Sequence, residues 1–251
     1  MRTAVRPALA TSETAVVRAV GYSLLAHALA YPDDSAIAAL QEVAAAAASF
    51  LEGTPLAELV PLARAATPGD LEPAHVRLFS LSSSPDCPTY ETAYFSPDPT
   101  QQTNRMADIA GFYRAFGVDT GGTGFRPDDI CVELEFMGYL CRKQVYAAEH
   151  LGAPRVAQTL RAQRLFLGDH LGCWAAGLGR RIAARAGASE FYRVLGAVLE
   201  DWVWGDCRAA GVTRLEVVDG PRPGWESEGG ETGELGINPE QLFDPEELPV
   251  M

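Results

Sequence analysis

The chain is expected to be all-α, and three features of its sequence carry that expectation. Alanine and leucine dominate a composition that is 47% hydrophobic, alternating β-branched runs are missing, and apolar residues recur every three or four positions. Its 251 residues suffice for one sizeable core or two small ones. A single helical domain over residues 1–218, followed by an acidic Gly/Pro/Glu-rich tail over 219–251, fits this pattern.

The elements follow in order. Val17, Val20, Leu24, Ala28 and Tyr31 set one face of a helix over Val16–Tyr31, stopped by Pro32. Asp33, Asp34 and Ser35 cap a second helix through Ile37, Leu40 and Val43. Thr54 and Pro55 start a short helix through Leu56 and Val60, and another covers Leu71–Ser80. Ser80–Thr100 has loop composition but carries Tyr90, Tyr94 and Phe95. Helical spacing resumes from Gln102 to Phe116 and ends at the glycine-rich GVDTGGTG. Asp128–Leu151, then Val156–Ala186 with a break near Gly168 or Gly172, then Ser189–Ala210 complete the body. The tail lacks the apolar surface to offset its ordering entropy and reads as mobile, with Leu242 and Phe243 able to cover an apolar groove.

Charge and cysteine usage narrow the function. A net charge of −13 and a pI near 4.7 argue against nucleic acid and favour a basic partner. Nine Asp/Glu against one Arg lie between Asp219 and Met251, so the body is only mildly acidic. The five cysteines are scattered, with no CxxC, which argues against zinc or iron–sulfur and suits free thiols in a reducing cytosol. Neither a signal-peptide core nor an apolar run of roughly 20 residues is evident, so a soluble cytoplasmic protein is expected.

Catalytic patterns are lacking. His27, His75, His150 and His170 stand far apart, without a GxSxG elbow. GVDTGGTG lacks the lysine of a phosphate loop, and Glu72/His75 is a lone ExxH pair where a carboxylate-bridged metal site needs two. No enzyme activity, no catalytic residue and no bound metal are expected. What remains is RPDDICVELEFMGYL, Arg126–Leu140, where four carboxylates crowd an apolar helix. Asp128 is placed to cap a helix beginning at Asp129, a role compatible with ligand binding. Glu133 and Glu135, two apart, point to different sides.

Taken together, HVRLFS with PTYETAYF, then MADIAGFYRAFGV, then RPDDICVELEFMGYLCRKQ, with a later FLGDHLGCW, resemble the TorD/DmsD/NarJ family of cytoplasmic molybdoenzyme maturation chaperones. The resemblance spans Val16–Ala210. It implies a single all-α domain, monomeric or sometimes swapped into dimers, that performs no chemistry. Such a chaperone binds the apo catalytic subunit of a DMSO-reductase-type enzyme and its twin-arginine leader. It holds no cofactor tightly itself; the client's cofactor is molybdenum bis-molybdopterin guanine dinucleotide. A receptor for two arginines and an apolar stretch needs carboxylates beside an aromatic groove. Leu78, Phe79, Pro88 and Tyr90 are expected to form the groove, with Glu91, Asp128, Asp129 and Glu133 as the charge. The chain departs from the family's Pro-Asp-His at Asp129, and Phe125 stands where an acidic residue is usual. Competing readings are a helical nucleotide-binding protein or enzyme using Arg114, Arg126 or Arg142-Lys143, and a scaffold that binds only the mature subunit.

Overall fold

The computed structural model describes residues 11–80, 87–95, 98–118, 126–212, 218 and 220–222. Among them the chain forms ten α-helices: α1 Ser12–Leu29, α2 Asp34–Ala47, α3 Leu59–Ala65, α4 Pro68–Phe79, α5 Thr92–Phe95, α6 Pro99–Ala115, α7 Ile130–His150, α8 Ala153–Asp169, α9 Leu171–Arg185 and α10 Glu190–Ala209. A 3₁₀ turn, Pro55–Glu58, precedes α3. The described residues hold no strand beyond an isolated antiparallel bridge between Tyr90 and Asp129. The all-α expectation is met. The Gly-rich turn beyond Val118, Phe125, and the tail from Pro223, with Leu242 and Phe243, lie outside the described residues.

Capping chemistry sets the helix starts. Thr11, Asp33, Thr67, Asp98, Asp129 and Ser189 accept from the amides of Thr14, Ala36, Asp70, Gln101, Cys131 and Tyr192, which would otherwise lack partners. Thr54 stands at the expected cap position, yet its hydroxyl donates backwards to the Leu51 carbonyl at 2.7 Å. The expected break near Gly168 falls at His170, between α8 and α9.

One apolar cluster joins the helices, with α1 packed on α7, α7 on α8, and α9 on α10. The α9–α10 approach is set by two glycines. A Cβ added at Gly196 would lie 2.5 Å from the Gly179 carbonyl oxygen, and one at Gly179 would lie 2.6 Å from the Gly196 carbonyl oxygen. No side chain fits between these backbones.

The buried face of α1 only partly matches the one its apolar spacing suggests. Leu24 and Ala28 are buried as expected, but Val17 and Val20 are only partly buried and Tyr31 is exposed, whereas Ala15, Arg18, Ala19, Tyr22, Leu25 and Leu29 are buried as well. The cause is an arginine that periodicity counts as polar. Arg18 forks onto Asp206 of α10, with Nε to Oδ1 at 2.6 Å and Nη2 to Oδ2 at 2.8 Å, while Nη1 donates to Gln163 Oε1 at 2.5 Å. The Tyr22 hydroxyl also donates to Asp206. Burial alone would lower the Arg18 pKa, but Asp206, helped by Cys141 and Tyr22, more than offsets it and holds the guanidinium above its ordinary value. Gln163 passes the network on, donating to the Leu140 carbonyl at 3.2 Å and to Gln144 Oε1 at 3.0 Å. Four helices thus share one polar knot.

Val218 and Arg222 are both hydrogen-bonded to the helical body. The Val218 amide donates to the Cys173 carbonyl at 2.9 Å, and the Arg222 amide to the Ala93 carbonyl at 3.0 Å. The described part of the expected tail, Gly220–Arg222, therefore reaches α5. No helix among the described residues is long and apolar enough to cross a membrane.

The two glycine environments make a paired test. Gly196→Ala is expected to cost about 1–3 kcal/mol, the usual penalty of overpacking. Gly111→Ala, in α6, meets no heavy atom within 4 Å and is expected to gain about 0.5–1 kcal/mol. Urea midpoints that move equally for both would contradict this account of the α9–α10 contact.

Candidate functional site

The loop from Cys87 to Phe95 folds back onto the start of α7. The Glu91 amide donates to the Asp128 carbonyl at 2.9 Å, and the Ile130 amide to the Thr89 carbonyl at 2.7 Å. Buried tyrosines fasten both sides: the Tyr94 hydroxyl donates to the Pro88 carbonyl at 3.0 Å and the Tyr113 hydroxyl to the Pro127 carbonyl at 2.7 Å. Two chain segments far apart in sequence become one ledge.

The two adjacent aspartates divide the work differently from the sequence expectation. Asp129, rather than Asp128, caps α7, accepting from the Cys131 amide at 2.8 Å and from the Thr89 hydroxyl at 3.3 Å. Burial raises the Asp129 pKa, and the Cys131 amide bond partly opposes that rise. Asp128 is fully buried and turns to the loop, where Thr92 donates to Oδ2 through its hydroxyl at 2.7 Å and its amide at 3.2 Å. Arg126 forks onto the same carboxylate, with Nε to Oδ1 at 2.9 Å and Nη2 to Oδ2 at 3.1 Å. Its guanidinium carbon lies 4.4 Å from the Tyr90 ring centroid. Helix capping takes the residue immediately before the first helical turn, and the loop hydroxyl claims the other.

Beneath this pair lies a second one. Glu91, fully buried, is paired with Arg105 of α6 and lies 3.3 Å from His170 Nδ1. Arg105 also donates to the Asp169 carbonyl at 2.8 Å and stacks 3.5 Å from the Phe95 ring centroid. Glu133, buried on α7, accepts from Trp174 Nε1 at 3.3 Å. Burial and then the neighbouring Glu91 raise the Glu133 pKa well above the ordinary carboxylate range. Two oxygens, Glu91 Oε2 and Glu133 Oε1, have no other partner among the described residues. A proton kept on Glu133 lets it donate to Glu91.

The eight side chains expected at the site fall into two groups. Pro88, Tyr90, Glu91, Asp128, Asp129 and Glu133 gather around the ledge. Leu78 is buried in the core, and Phe79 packs on His75 and Tyr192, with ring centroids 4.7 Å and 5.8 Å away. Three of the four carboxylates, Glu91, Asp128 and Glu133, are fully buried rather than displayed at the surface.

Beside the ledge opens a polar cleft of about 610 Å³ lined by Thr92, Phe95, Asn104, Arg105, Asp108 and Arg222. Two apolar depressions run along α7. One is lined by Val118, Val132, Phe136, Tyr139 and Arg142, the other by Val20, Phe50, Arg142, Val145 and Tyr146, and Arg142 borders both. The described residues hold no cluster of three or more His, Cys, Asp or Glu able to bind a metal ion.

The family model described as nitrate reductase delta subunit matches residues 28–179, a span that contains α2 to α8, the ledge and most of α9. The chain belongs to the nitrate reductase delta subunit family, the NarJ/TorD-type chaperones. Among solved structures, one from Archaeoglobus fulgidus, assigned as a redox enzyme maturation protein, is 18% identical with a TM-score of 0.47, covering 74% of this chain and 93% of that one. No curated protein matches the chain.

Within this delta-subunit family member, sequence reasoning overlooked Thr92, Arg105, His170 and Trp174. FLGDHLGCW carried a signal for the last two, through its likeness to the family. Arg105 carried none, because its partners lie 14 and 64 positions away.

The proton on Glu133 has a measurable sign. Its folded pKa is raised above the ordinary 4.5, so the stability linked to that proton is complete below about pH 4.5 and is lost as pH rises toward the folded value. Glu133→Gln keeps a donor for Glu91 without needing the proton. Its melting temperature relative to wild type is expected to climb as pH rises above about 4.5. A pH-independent difference would mean that the folded protein does not hold this proton.

Proposed function

We propose that this chain is a dedicated cytoplasmic maturation chaperone for a DMSO-reductase-type molybdoenzyme. In this reading it binds the apo catalytic subunit, and its twin-arginine leader where one exists, until molybdenum bis-molybdopterin guanine dinucleotide has been inserted into the client. The cofactor belongs to the client, and this chain supplies a surface rather than chemistry.

The observation that carries the reading is the ledge itself. Two consecutive loop residues, Glu91 and Thr92, each take part in holding an arginine, and each arginine lies on an aromatic ring, Phe95 or Tyr90. Buried carboxylate, flat aromatic face and carbonyl acceptor are the groups that favour guanidinium over ammonium. The depressions along α7 supply apolar surface for the stretch that follows the arginines in a leader. Val132 and Val145 are about 20 Å apart along the helix at 1.5 Å per residue, a distance an extended peptide spans in about six residues. The same depressions also favour contact with the mature subunit. Hydrogen-exchange protection separates the two: a leader that fills the depressions protects both 87–95 and 132–149 by itself, whereas if the mature subunit fills them a leader protects only 87–95 and the whole client adds 132–149.

Asp128→Asn is expected to weaken binding of a twin-arginine peptide about tenfold, or about 1.4 kcal/mol, while circular dichroism keeps its helix content. Unchanged calorimetric affinity would remove Asp128 from the client site. Co-purification of the tagged protein with partners that include no molybdoenzyme subunit would overturn the assignment as a whole.

A further inference from the structure

We propose that Arg105 is a removable internal occupant of a guanidinium socket, and that an arginine side chain of the client exchanges with it. The inference rests on the client-binding reading and names how its site is kept closed.

The socket is built from four directions. Glu91 Oε1 faces the guanidinium, the Phe95 ring lies flat against it at 3.5 Å, and the Asp169 carbonyl at the C-terminal end of α8 accepts at 2.8 Å. His170 closes the fourth side, 3.3 Å from Glu91 Oε1. The walls cannot follow the occupant out. The Glu91 amide is held by the Asp128 carbonyl, and the Glu91 carbonyl accepts from the Tyr94 amide at 2.9 Å. Asp169 and His170 sit in the fixed break between α8 and α9.

The occupant is less constrained than its socket. The Arg105 side chain is 24% exposed while Glu91 is fully buried. Arg105 also lines the 610 Å³ cleft, so its long side chain has open space into which it can swing without any backbone movement. His170 Nε2 is buried and makes no hydrogen bond among the described residues, so the socket keeps one unused polar atom. The Nε2 atom lies 3.4 Å from Asp108 Oδ2, which sits on the cleft wall.

A buried carboxylate stripped of its cation is the costly state, so the socket is not left empty. Cation must replace cation, and the natural replacement is another arginine. Lysine would lack the planar fork that reaches Glu91 and Asp169 together, and could not lie flat on Phe95. An internal arginine therefore keeps the site closed to all but a ligand that reproduces its contacts.

Chemical rescue tests the socket without any client. Arg105→Gly is expected to melt below wild type and to recover in a saturable way with millimolar ethylguanidinium but not ethylammonium, while wild type shows no such response. If the variant is unfolded alone, recovery of helix content with ethylguanidinium reads the same property. Equal responses to both cations, or none, would overturn the socket. The exchange is tested with Arg105→Lys, which keeps the charge and loses the fork. A twin-arginine peptide is expected to bind it about tenfold more tightly than wild type. Binding to both forms with no gain in the variant would overturn the exchange and leave the client reading intact. Rescue by ethylguanidinium with peptide bound to neither form would keep the socket and remove a leader as its occupant.

Discussion

A carboxylate removed from water needs a cation, a proton or several hydrogen bonds, and this requirement organises the molecule. The all-helical core contains Glu91, Asp128, Glu133 and Asp206, each at most 6% exposed. Asp206 is matched by Arg18, Asp128 by Arg126, Glu91 by Arg105, and Glu133 by a retained proton and the Trp174 indole. The matches of Asp206, Glu91 and Glu133 join different elements, and Asp128 does so through Thr92. Removing one partner would expose the cost of the other, so these contacts fix positions more than they add net stability.

Three of these four carboxylates meet at one place, where a loop with little regular structure lies on the first turn of α7. The bridge between Tyr90 and Asp129 orients the loop, and the two arginines clamp it from α6 and from the segment before α7. The result is a rigid polar ledge beside an open cleft, bordered along α7 by apolar depressions. Such an arrangement is what the proposed recognition of an extended basic and apolar segment would use.

Much of the fold was legible because its determinants are local. Helix starts at Asp33 and Ser189 follow from short side chains reaching amides three positions ahead, and the break near Gly168 follows from interrupted spacing, whereas the turn read at Thr67–Asp70 is the capped first turn of α4. The buried face of α1 was legible only in part, through Leu24 and Ala28, since Arg18 is drawn inward by a residue 188 positions away. Similarly, the choice between Asp128 and Asp129 as cap turned on Thr92, a partner 36 positions from Asp128. The family likeness put Glu91 and Asp128 in one expected site, and the two are neighbours in the structure. It could not reveal that both are already occupied from within, because Arg105 and Arg126 look in sequence like ordinary surface residues.

The polar knot around Arg18 bears on how the chain is made. Arg18 lies in the first described helix and Asp206 near the end of the last one. On a ribosome adding about 5–20 residues each second, the aspartate follows the arginine by roughly 10–40 s. Throughout that interval Arg18 has no buried counter-charge, and burying α1 on its native face would strand it. The counter-charge that makes burial of α1 on its native face favourable thus comes from α10, the last of the described helices to be synthesised.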